Sequence, residues 1–599
     1  MLVQNYARTT GPRPLVSVVS RRLLSDSARL KNSSPPPPPS ITSSSSQKRN
    51  SGKIPRKAFV AATAAVAASA GIYVSNSYSN DLRNFVTGAA WPSSSLIRND
   101  GRPGVVSPAP STYAGQLGEV QFPRAAGFST KGLKTLTDDE VSAKLREHEE
   151  AYKVERGNGV VRFDVAQLAS NSQIEDDYAA KIVNVNFADG ESDWYFFGVF
   201  DGHGGWNTSA KLRELLVPYV ARELIEAVKP DTVSTDYFVS TSANGRLVDR
   251  AIEIGFQKLD DDIVKKPINF LLDNPYKPAS PELLMPAMSG SCALLSLYDS
   301  ATQTLRVACT GDSRAVLGHR DSGGKWVATP LSYDQCGRNV SEVKRLREEH
   351  PDEKDTVVRR GRVLGGLEPT RAFGDARYKV PTDVLNQVGE LFFGRSTPGG
   401  SLKSPPYVTA RPEVITTKVK PGDFLVLATD GIWDELSCKE VVQLVVEWMR
   451  KAEINTGRPA EGITSAVRHN GIMSRVSDLA DIAVRSDTEE LNARVEAPDV
   501  TDEGKATLRN LVAGVKHFRG LFTIKDKNVA THLVRNALGG ADTDETAMLV
   551  SLPPPMSRRY RDDMTAVVVF FGEPDGEGKP TGKVVQIAEA TAGGKGQSQ

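Results

Sequence analysis

The sequence has few cysteines and no excess of either charge. Its four cysteines, among 599 residues, lie far apart and include no CxxC pair, which argues against a disulfide framework and against a structural zinc site. Lys and Arg number 74 against 73 Asp and Glu, and they form no stripe around the motifs described below. We therefore expect no nucleic-acid partner. An apolar fraction of 39% with 25% charged residues is typical of a folded globular chain.

Acidic residues are almost absent from the first 57 positions. Eleven Lys and Arg occur there against one acid, Asp26, and this Arg- and Ser-rich composition is typical of an organelle transit peptide. The stretch "SSPPPPPSITSSSS" is typical of a disordered spacer. A transit peptide with a spacer is predicted over residues 1–57, and a basic disordered tail is the alternative. The expected location is mitochondrial, in the matrix or at the inner membrane facing the intermembrane space.

Charged residues are also absent from positions 58–80. A bilayer needs about 20 apolar residues in a helix, so this alanine-rich stretch predicts a short transmembrane helix, an inner-membrane anchor. A soluble alanine-rich helix is the alternative. The remaining organisation is predicted as a linker over 81–135, one domain over 136–575 with an insertion at about 455–526, and a disordered tail over 576–599.

Three apolar runs adjoin carboxylates. The run 195–200 is followed by Asp201, Gly202 and His203, the run 424–428 is followed closely by Asp430, and Asp562 precedes the run 566–571. Such continuous apolar runs predict strands that are buried on both faces. Because antiparallel neighbours bring the start of one strand beside the end of another, we expect the three carboxylates to meet at one edge of a core.

Three unpaired carboxylates at one place would repel each other unless a cation lies between them. Neither "FDGHGG" nor "ATDGIW" contains Lys or Arg, so a hard divalent cation with oxygen ligands, Mg²⁺ or Mn²⁺, is predicted. Each motif alone has an ordinary interpretation, since "DG" after a strand is a common turn and "FDGHGG" is compatible with a glycine-rich hairpin. The repetition of the arrangement, with His203 beside it, favours a metal site.

The order of the motifs resembles that of the metal-dependent serine/threonine protein phosphatases of type 2C. The motifs lie within about residues 164–571 and are "NSQIEDDYAA", "FDGHGG", "SGSCALLSLYD", "LRVACTGDSRAVLG", "LEPTRAFGDARYK", "VLATDGIWDELS" and "RDDMTAVVVFF". Several ordered motifs are far more specific than a single one. The resemblance implies an α+β fold, with two antiparallel β-sheets packed as a sandwich and flanked by α-helices. Helical spacing in "NTSAKLRELLVPYVARELIEAV" and "SCKEVVQLVVEWMRKA" agrees with it.

Within this family the sequence is most similar to the mitochondrial pyruvate dehydrogenase phosphatase branch. Asn171 stands where many members carry an arginine that binds the substrate phosphate, and this asparagine is characteristic of the branch. The departure leaves the phosphate-binding residue unassigned. Cys292 stands where threonine is common in the family. The branch implies a phosphoprotein substrate, the E1 component of the pyruvate dehydrogenase complex, and docking to the core of that complex.

The resemblance implies two bound Mg²⁺ or Mn²⁺ ions. On this interpretation Asp201 bridges the two ions, and Asp430 and Asp562 complete the ligands of one of them. Glu175 and the carbonyl group of Gly202 hold the other ion, in part through water.

Three further residues are predicted to act beside these ligands. His203 protonates the departing serine or threonine oxygen, a task that suits a side chain with a pKa near neutrality. Asp176 orients a metal-bound water. Asp312, in the "GDSR" turn, has two interpretations: a ligand of a third, weaker metal site, or the cap of a turn. Arg371 and Asp375 belong to a family motif whose chemical role does not follow from the sequence.

Other functions remain open at this point. A catalytically silent domain of the same fold could serve in binding or sensing, because fold does not fix function. The same metal chemistry could also act on a small phosphoester. The segment 58–80 permits a membrane-tethered phosphatase with a different mitochondrial substrate.

Overall fold

The computed structural model describes residues 73–74, 134–157, 159–238, 243–276, 281–393, 402–452, 472–473, 483–484, 522–572 and 582–593. The transit peptide and spacer predicted over 1–57 lie outside these residues. So do the predicted transmembrane helix at 58–80, apart from 73–74, and the predicted linker at 81–135, apart from its last two residues. Among the helices of the described residues, none combines the length and the hydropathy that crossing a bilayer requires.

The longer strands of the described residues form two sheets. They are β1 Glu150–Glu155, β2 Val160–Leu168, β3 Asp177–Phe187, β4 Gly190–Phe200, β5 Ala293–Asp299, β6 Thr304–Thr310, β7 Arg314–Arg320, β8 Trp326–Pro330, β9 Glu413–Lys418, β10 Phe424–Ala428, β11 Met564–Phe571 and β12 Lys583–Gln586. One sheet has the order Tyr73–Val74, β3, β4, β5, β6, β9; the other has the order Ala483–Val484, β8, β7, β10, β11, β2, β1, β12. Neighbouring strands are antiparallel, except that Ala483–Val484 runs parallel to β8.

The apolar runs are continuous because both faces of the central strands are covered. In β4, Tyr195, Phe197 and Val199 point into the core between the sheets, where they join Leu425 of β10 and Val567 of β11. The alternate side chains of these strands pack against helices on the outside. The buried runs 194–200 and 424–428 contain no charged residue, and Asp201 and Asp430 are the first acids after them.

The helices of the described residues lie mostly on the outer faces of the two sheets. They are α1 Asp138–Leu145, α2 Asn207–Val228, α3 Ala243–Asp273, α4 Pro281–Met288, α5 Val340–Glu349, α6 Ala376–Lys379, α7 Thr382–Phe393, α8 Asp430–Trp433, α9 Cys438–Ala452, α10 Val529–Ala537 and α11 Thr543–Ser551. As the sequence predicts, Leu212, Leu216 and Leu224 of α2 are buried. Helix α9 begins with a capping box, in which Ser437 Oγ accepts from the amide of Glu440 and Glu440 Oε2 accepts from the amide of Ser437. The predicted fold class is confirmed.

The structure differs from the predicted limits at two places. Of the predicted insertion at 455–526, residues 472–473, 483–484 and 522–526 are described, and Phe522 and Ile524 belong to the core beneath α9 and α10. In the stretch predicted as a disordered tail, β12 pairs with β1 at the edge of the larger sheet. The β-branched pair Val584 and Val585 favours this strand, and Asn528 Nδ2 donates to the carbonyl of Ala590 at 3.1 Å.

Candidate active site

Carboxylates from both sheets meet at one end of the sandwich. Asp201 follows β4 of the smaller sheet, Asp430 opens α8 directly after β10 of the larger sheet, and Asp312 lies in the turn between β6 and β7. One carboxylate oxygen from each of these three residues lies within 4.8 Å of the other two. Asp562 reaches the same end because β11 pairs with β10, with Ala566 opposite Ala428. The sequence predicted that Asp201, Asp430 and Asp562 would lie at one edge. The structure groups Asp201 and Asp430 with Asp312, and it places Asp562 at the same end of the sandwich.

The electrostatics of this cluster call for a cation. Burial raises the pKa of Asp201 well above its ordinary value, and the carboxylate of Asp430 raises it further. Burial likewise raises the pKa of Asp430, with Asp312 as the next cause, and it raises the pKa of Asp312 to about 6. The side-chain donors that converge are oxygens only, and they are mutually repulsive. This donor set fits a hard divalent cation.

Asp312 was the acid with two interpretations, and the structure groups it with Asp201 and Asp430. Its Oδ1 also accepts from Cys292 Sγ at 3.1 Å. Cys292 is buried, and burial raises the pKa of its thiol well above the ordinary range. The thiol therefore acts here as a neutral hydrogen-bond donor to an acid of the cluster.

Glu175 and Asp176 are held by polar groups from distant motifs. Glu175 Oε1 accepts from the amide of Gly205 at 2.7 Å. Asp176 Oδ2 accepts from Thr429 Oγ1 at 2.8 Å and from Thr565 Oγ1 at 2.7 Å, one hydroxyl following β10 and the other within β11. Asp176 is therefore fixed in orientation by the larger sheet.

Gly202 permits the close approach of two backbone segments, the one that follows Asp201 and the one that carries Glu175. A Cβ atom at this position would lie 2.2 Å from the carbonyl oxygen of Glu175, a distance that no side chain tolerates. The absence of a side chain thus lets the backbone after β4 pack directly on the Glu175 backbone, which brings the two acids into one site.

His203 is paired with Asp375, a partner that the sequence did not reveal. The short strand Gly290–Ser291 pairs with Gly202–His203 on one side and with Phe373–Gly374 on the other. This small sheet places His203 Nε2 at 2.7 Å from Asp375 Oδ2. Burial is the largest effect and lowers the pKa of His203, but the carboxylates of Asp375, Asp312 and Glu175 together outweigh it, and the net pKa lies above the ordinary value. The imidazole is therefore disposed to carry a proton.

Asp563 is the second residue that sequence reasoning missed. Its Oδ1 accepts from Ser170 Oγ at 2.9 Å and its Oδ2 accepts from the amide of Glu175 at 2.8 Å. The amide and side chain of Asn171 also donate to it. The doubled acid in "RDDM" was the available signal. Asp563 fixes the 170–175 segment against the start of β11.

Arg371, whose role the sequence left open, anchors the segment that leads to Asp375. It is buried, and its Nη2 donates to Glu342 Oε1 at 2.6 Å. Its Nη1 donates to the carbonyl of Arg411 at 3.0 Å. Arg371 therefore joins α5 to the strand region before β9 and holds the backbone four residues ahead of Asp375.

Comparisons with known proteins identify the family of this chain. A family model described as "Protein phosphatase 2C" matches residues 162–477. The chain is 41% identical over 451 residues to "[Pyruvate dehydrogenase [acetyl-transferring]]-phosphatase 1, mitochondrial" of Saccharomyces cerevisiae, which covers 73% of each chain. It is 30% identical over 498 residues to "[Pyruvate dehydrogenase [acetyl-transferring]]-phosphatase 2, mitochondrial" of Homo sapiens, which covers 73% of this chain and 83% of the relative.

A solved serine-threonine phosphatase 2C from Toxoplasma gondii aligns with a TM-score of 0.36 and 18% identity, over 68% of this chain and 95% of that chain. The family match covers more than half of the chain, and the relatives cover almost three quarters of it. With the carboxylate cluster at the end of the sandwich, these matches confirm the resemblance carried by the motifs. The chain belongs to the protein phosphatase 2C family of metal-dependent serine/threonine protein phosphatases.

Proposed function

We propose that this chain uses Mg²⁺ or Mn²⁺ to remove phosphate from phosphoserine or phosphothreonine in the E1 component of the pyruvate dehydrogenase complex in mitochondria. The observation that carries the chemistry is the carboxylate cluster of Asp201, Asp312 and Asp430 beside the pair of His203 and Asp375. The printed names of the yeast and human relatives support the substrate and the location.

The resemblance suggests the ligands, and the carboxylate cluster supports them. Asp201, Asp430 and Asp562 would hold one ion, Asp201 would also reach a second ion beside Glu175 and the Gly202 carbonyl, and Asp312 offers a ligand for a third. Bound ions of this kind supply a water of lowered pKa as the nucleophile and positive charge against the phosphoryl oxygens.

His203 supplies the proton that the leaving group needs. A serine or threonine alkoxide is a poor leaving group, and a protonated imidazole in hydrogen-bond reach accelerates its departure by about 10²–10⁴-fold. The Asp375 carboxylate favours the protonated imidazole against the effect of burial on its pKa, and it fixes the ring through Nε2. Nδ1 is therefore the atom that would face the substrate oxygen.

Asp176 would orient water in the site. Its Oδ2 is committed to two threonine hydroxyls, which leaves Oδ1 as the acceptor that would fix a water bound to the cluster. Because both hydroxyls belong to the larger sheet, the orientation of Asp176 is coupled to the position of Asp430.

The printed names of the relatives support a mitochondrial location, and the organisation of the rest of the chain is proposed from the sequence. We propose a mitochondrial transit peptide with a spacer at 1–57, a phosphatase domain within 136–575 extended by the strand β12, and docking to the core of the pyruvate dehydrogenase complex. A membrane anchor at 58–80 would place the domain at the inner membrane, and its absence from the mature protein would place it in the matrix.

The test is phosphate release from phosphorylated E1 by the full chain, with Mg²⁺ or Mn²⁺ and with EDTA, for the wild type and Asp201→Asn. Metal-dependent release that Asp201→Asn abolishes is the expected result. The matched control is Asp273→Asn, an exposed acid at the end of α3, which should leave the rate unchanged. Cleavage of a phosphoserine peptide but not of E1 would refute the substrate, and cleavage of neither would favour a silent binding domain.

A further inference from the structure

The position at which many family members carry a phosphate-binding arginine is occupied by a neutral residue that is already engaged. Asn171 Nδ2 donates to Glu175 Oε2 at 3.2 Å and to Asp563 Oδ2 at 3.4 Å. This amide therefore supports two carboxylates, and it carries no charge to offset a phosphoryl group. A phosphate monoester is itself anionic, so a cation of the protein at this position would add to the positive charge that the bound metal ions supply.

A turn from the far end of the chain lies against this segment. The turn is Ser557–Arg559, and Ser557 Oγ donates to the carbonyl of Ser170. Two residues after the turn, Arg561 Nη2 donates to the carbonyl of Ala169 at 2.7 Å. These two hydrogen bonds fix the turn beside the residues that immediately precede Asn171, so Arg558 enters the site next to position 171.

The side chain of Arg558 faces the acids of the active site. Its Nη1 forms an ion pair with Asp562, and the carboxylates of Asp563 and Asp201 also act on the guanidinium. Burial raises the pKa of Glu175, and the positive charge of Arg558 lowers it relative to that effect. The 557–559 turn therefore places the positively charged side chain of Arg558 beside the expected metal ligands.

Arg558 also keeps donors available to a ligand from solvent. Its side chain is 42% exposed, whereas that of Arg561 next to it is buried. A guanidinium has five N–H donors. Within the described residues, the ion pair of Arg558 with Asp562 engages only one edge of the Arg558 guanidinium. The planar fork of an arginine matches two phosphate oxygens at once.

We propose that Arg558 binds the phosphoryl group of the substrate and takes the place of the arginine that is absent from position 171. This inference rests on the proposed phosphatase function. The contrasting role for Arg558 is structural, in which it only orients Asp562 for metal binding. The two roles differ in which ligand they affect, inorganic phosphate or the metal ion.

The experiment measures the binding of inorganic phosphate and of Mn²⁺ separately, by calorimetry on the full chain. Phosphate is titrated into protein saturated with Mn²⁺, for the wild type, Arg558→Ala, Arg558→Lys and the adjacent exposed control Arg559→Ala. Hydrogen bonds to charged groups contribute about 1.5–3 kcal/mol, so Arg558→Ala should weaken phosphate binding by about 10- to 100-fold. Arg558→Lys should lose less, Arg559→Ala should lose nothing, and Mn²⁺ affinity should stay within about twofold of the wild type.

A charge-relocation variant tests the geometry. Adding Asn171→Arg to Arg558→Ala should restore phosphate binding, because both positions lie at the same edge of the site, and it should lower the KM for a phosphoserine peptide in parallel. Unchanged phosphate affinity in Arg558→Ala overturns the proposal, and so does an equal loss of Mn²⁺ affinity, which would leave only the structural role.

The binding readout does not need turnover. A wild type that binds phosphate through Arg558 but releases none from phosphoproteins would therefore refute the proposed function and leave this inference standing. Circular dichroism spectra of the variants that are near-identical to that of the wild type show that a loss of phosphate binding does not come from unfolding.

Discussion

Replacing Glu342 by Gln should destabilise the fold by about 3 kcal/mol at neutral pH. Glu342 is buried in α5, and its carboxylate accepts from Arg371 Nη2 at 2.6 Å, from Arg345 Nη2 at 2.7 Å and from Thr370 Oγ1 at 2.7 Å. Burial alone would raise its pKa, but Arg371 and Arg345 outweigh burial and lower the pKa from 4.5 to about 2. At about 1.4 kcal/mol for each pKa unit, the difference stabilises the folded state by about 3 kcal/mol.

The sign of the pH dependence follows from the lowered pKa. A carboxyl group whose pKa is lower in the folded state contributes its full stabilisation above its unfolded pKa, and loses it as the pH falls through the folded pKa. The window for Glu342 therefore runs from 4.5 down to about 2. The difference in unfolding free energy between the wild type and Glu342→Gln should be largest at about pH 7 and smaller by about 1 to 1.5 kcal/mol at about pH 3.5.

Urea denaturation followed by tryptophan fluorescence at the two pH values measures both effects. The matched control is Glu349→Gln, which removes an acid from the same helix that pairs with Arg345 at 2.8 Å but is 49% exposed. Exposed pairs contribute about 0–1 kcal/mol, so this variant should lose little. A loss below about 1 kcal/mol for Glu342→Gln, or an equal loss at both pH values, would refute the assignment of Glu342 as a buried paired carboxylate.

Two further predictions concern the proton donor. Asp375→Asn removes the carboxylate that raises the pKa of His203, so the alkaline decline of kcat for a phosphoserine peptide should move to lower pH. Turnover of p-nitrophenyl phosphate should change little, because its leaving group needs no proton. Equal losses for both substrates would contradict this prediction. A Cβ at Gly290 would lie 2.1 Å from His203 Nε2 and 2.3 Å from Asp375 Oδ2, so Gly290→Ala should lower kcat for the peptide by about 10²–10⁴-fold. Gly190→Ala, where a Cβ meets nothing within 4 Å, should keep the wild-type rate, and a normal rate in Gly290→Ala would argue against the pair.

The buried strands could be predicted because an apolar run of this length is compatible only with a strand that is covered on both faces. The run at 424–428 is the whole of β10, and all of its side chains are buried between the facing sheet and α9. A run of this length without a polar residue has no solvated face to offer, so it must be central in a layered fold. The ends of such strands follow from the first polar residue, which is why Asp201 was placed correctly at the end of β4.

The meeting of the acids could be predicted only in part. Asp430 and Asp562 come together because β10 and β11 are antiparallel neighbours, which was the reasoning from the sequence. Asp201 comes from the other sheet, so its arrival depends on how the two sheets pack. The sequence carries no periodic signal for that packing, so the antiparallel reasoning, although it also named Asp201, did not account for its position.

The partner of His203 could not be predicted from local patterns. The small sheet that joins Gly202–His203 to Phe373–Gly374 through Gly290–Ser291 consists of two-residue strands, which are too short to show alternation. Glu342 shows the same limit, because a charge-mixed helix predicts a solvated face, and only the tertiary position of Arg371 explains why one of its acids is buried.

The supporting contacts explain why the motifs occur together. Asp176 depends on the hydroxyls of Thr429 and Thr565, which belong to motifs more than 250 residues further along the chain. Glu175 depends on the amide of Gly205 beside the histidine motif, and His203 depends on Asp375. Each of these acid–base groups is thus oriented by a residue from a different motif. Because partly supported buried polar groups are destabilising, the loss of one motif would disturb the groups that the others carry, and the complete set of contacts argues for a working catalytic site over a silent domain.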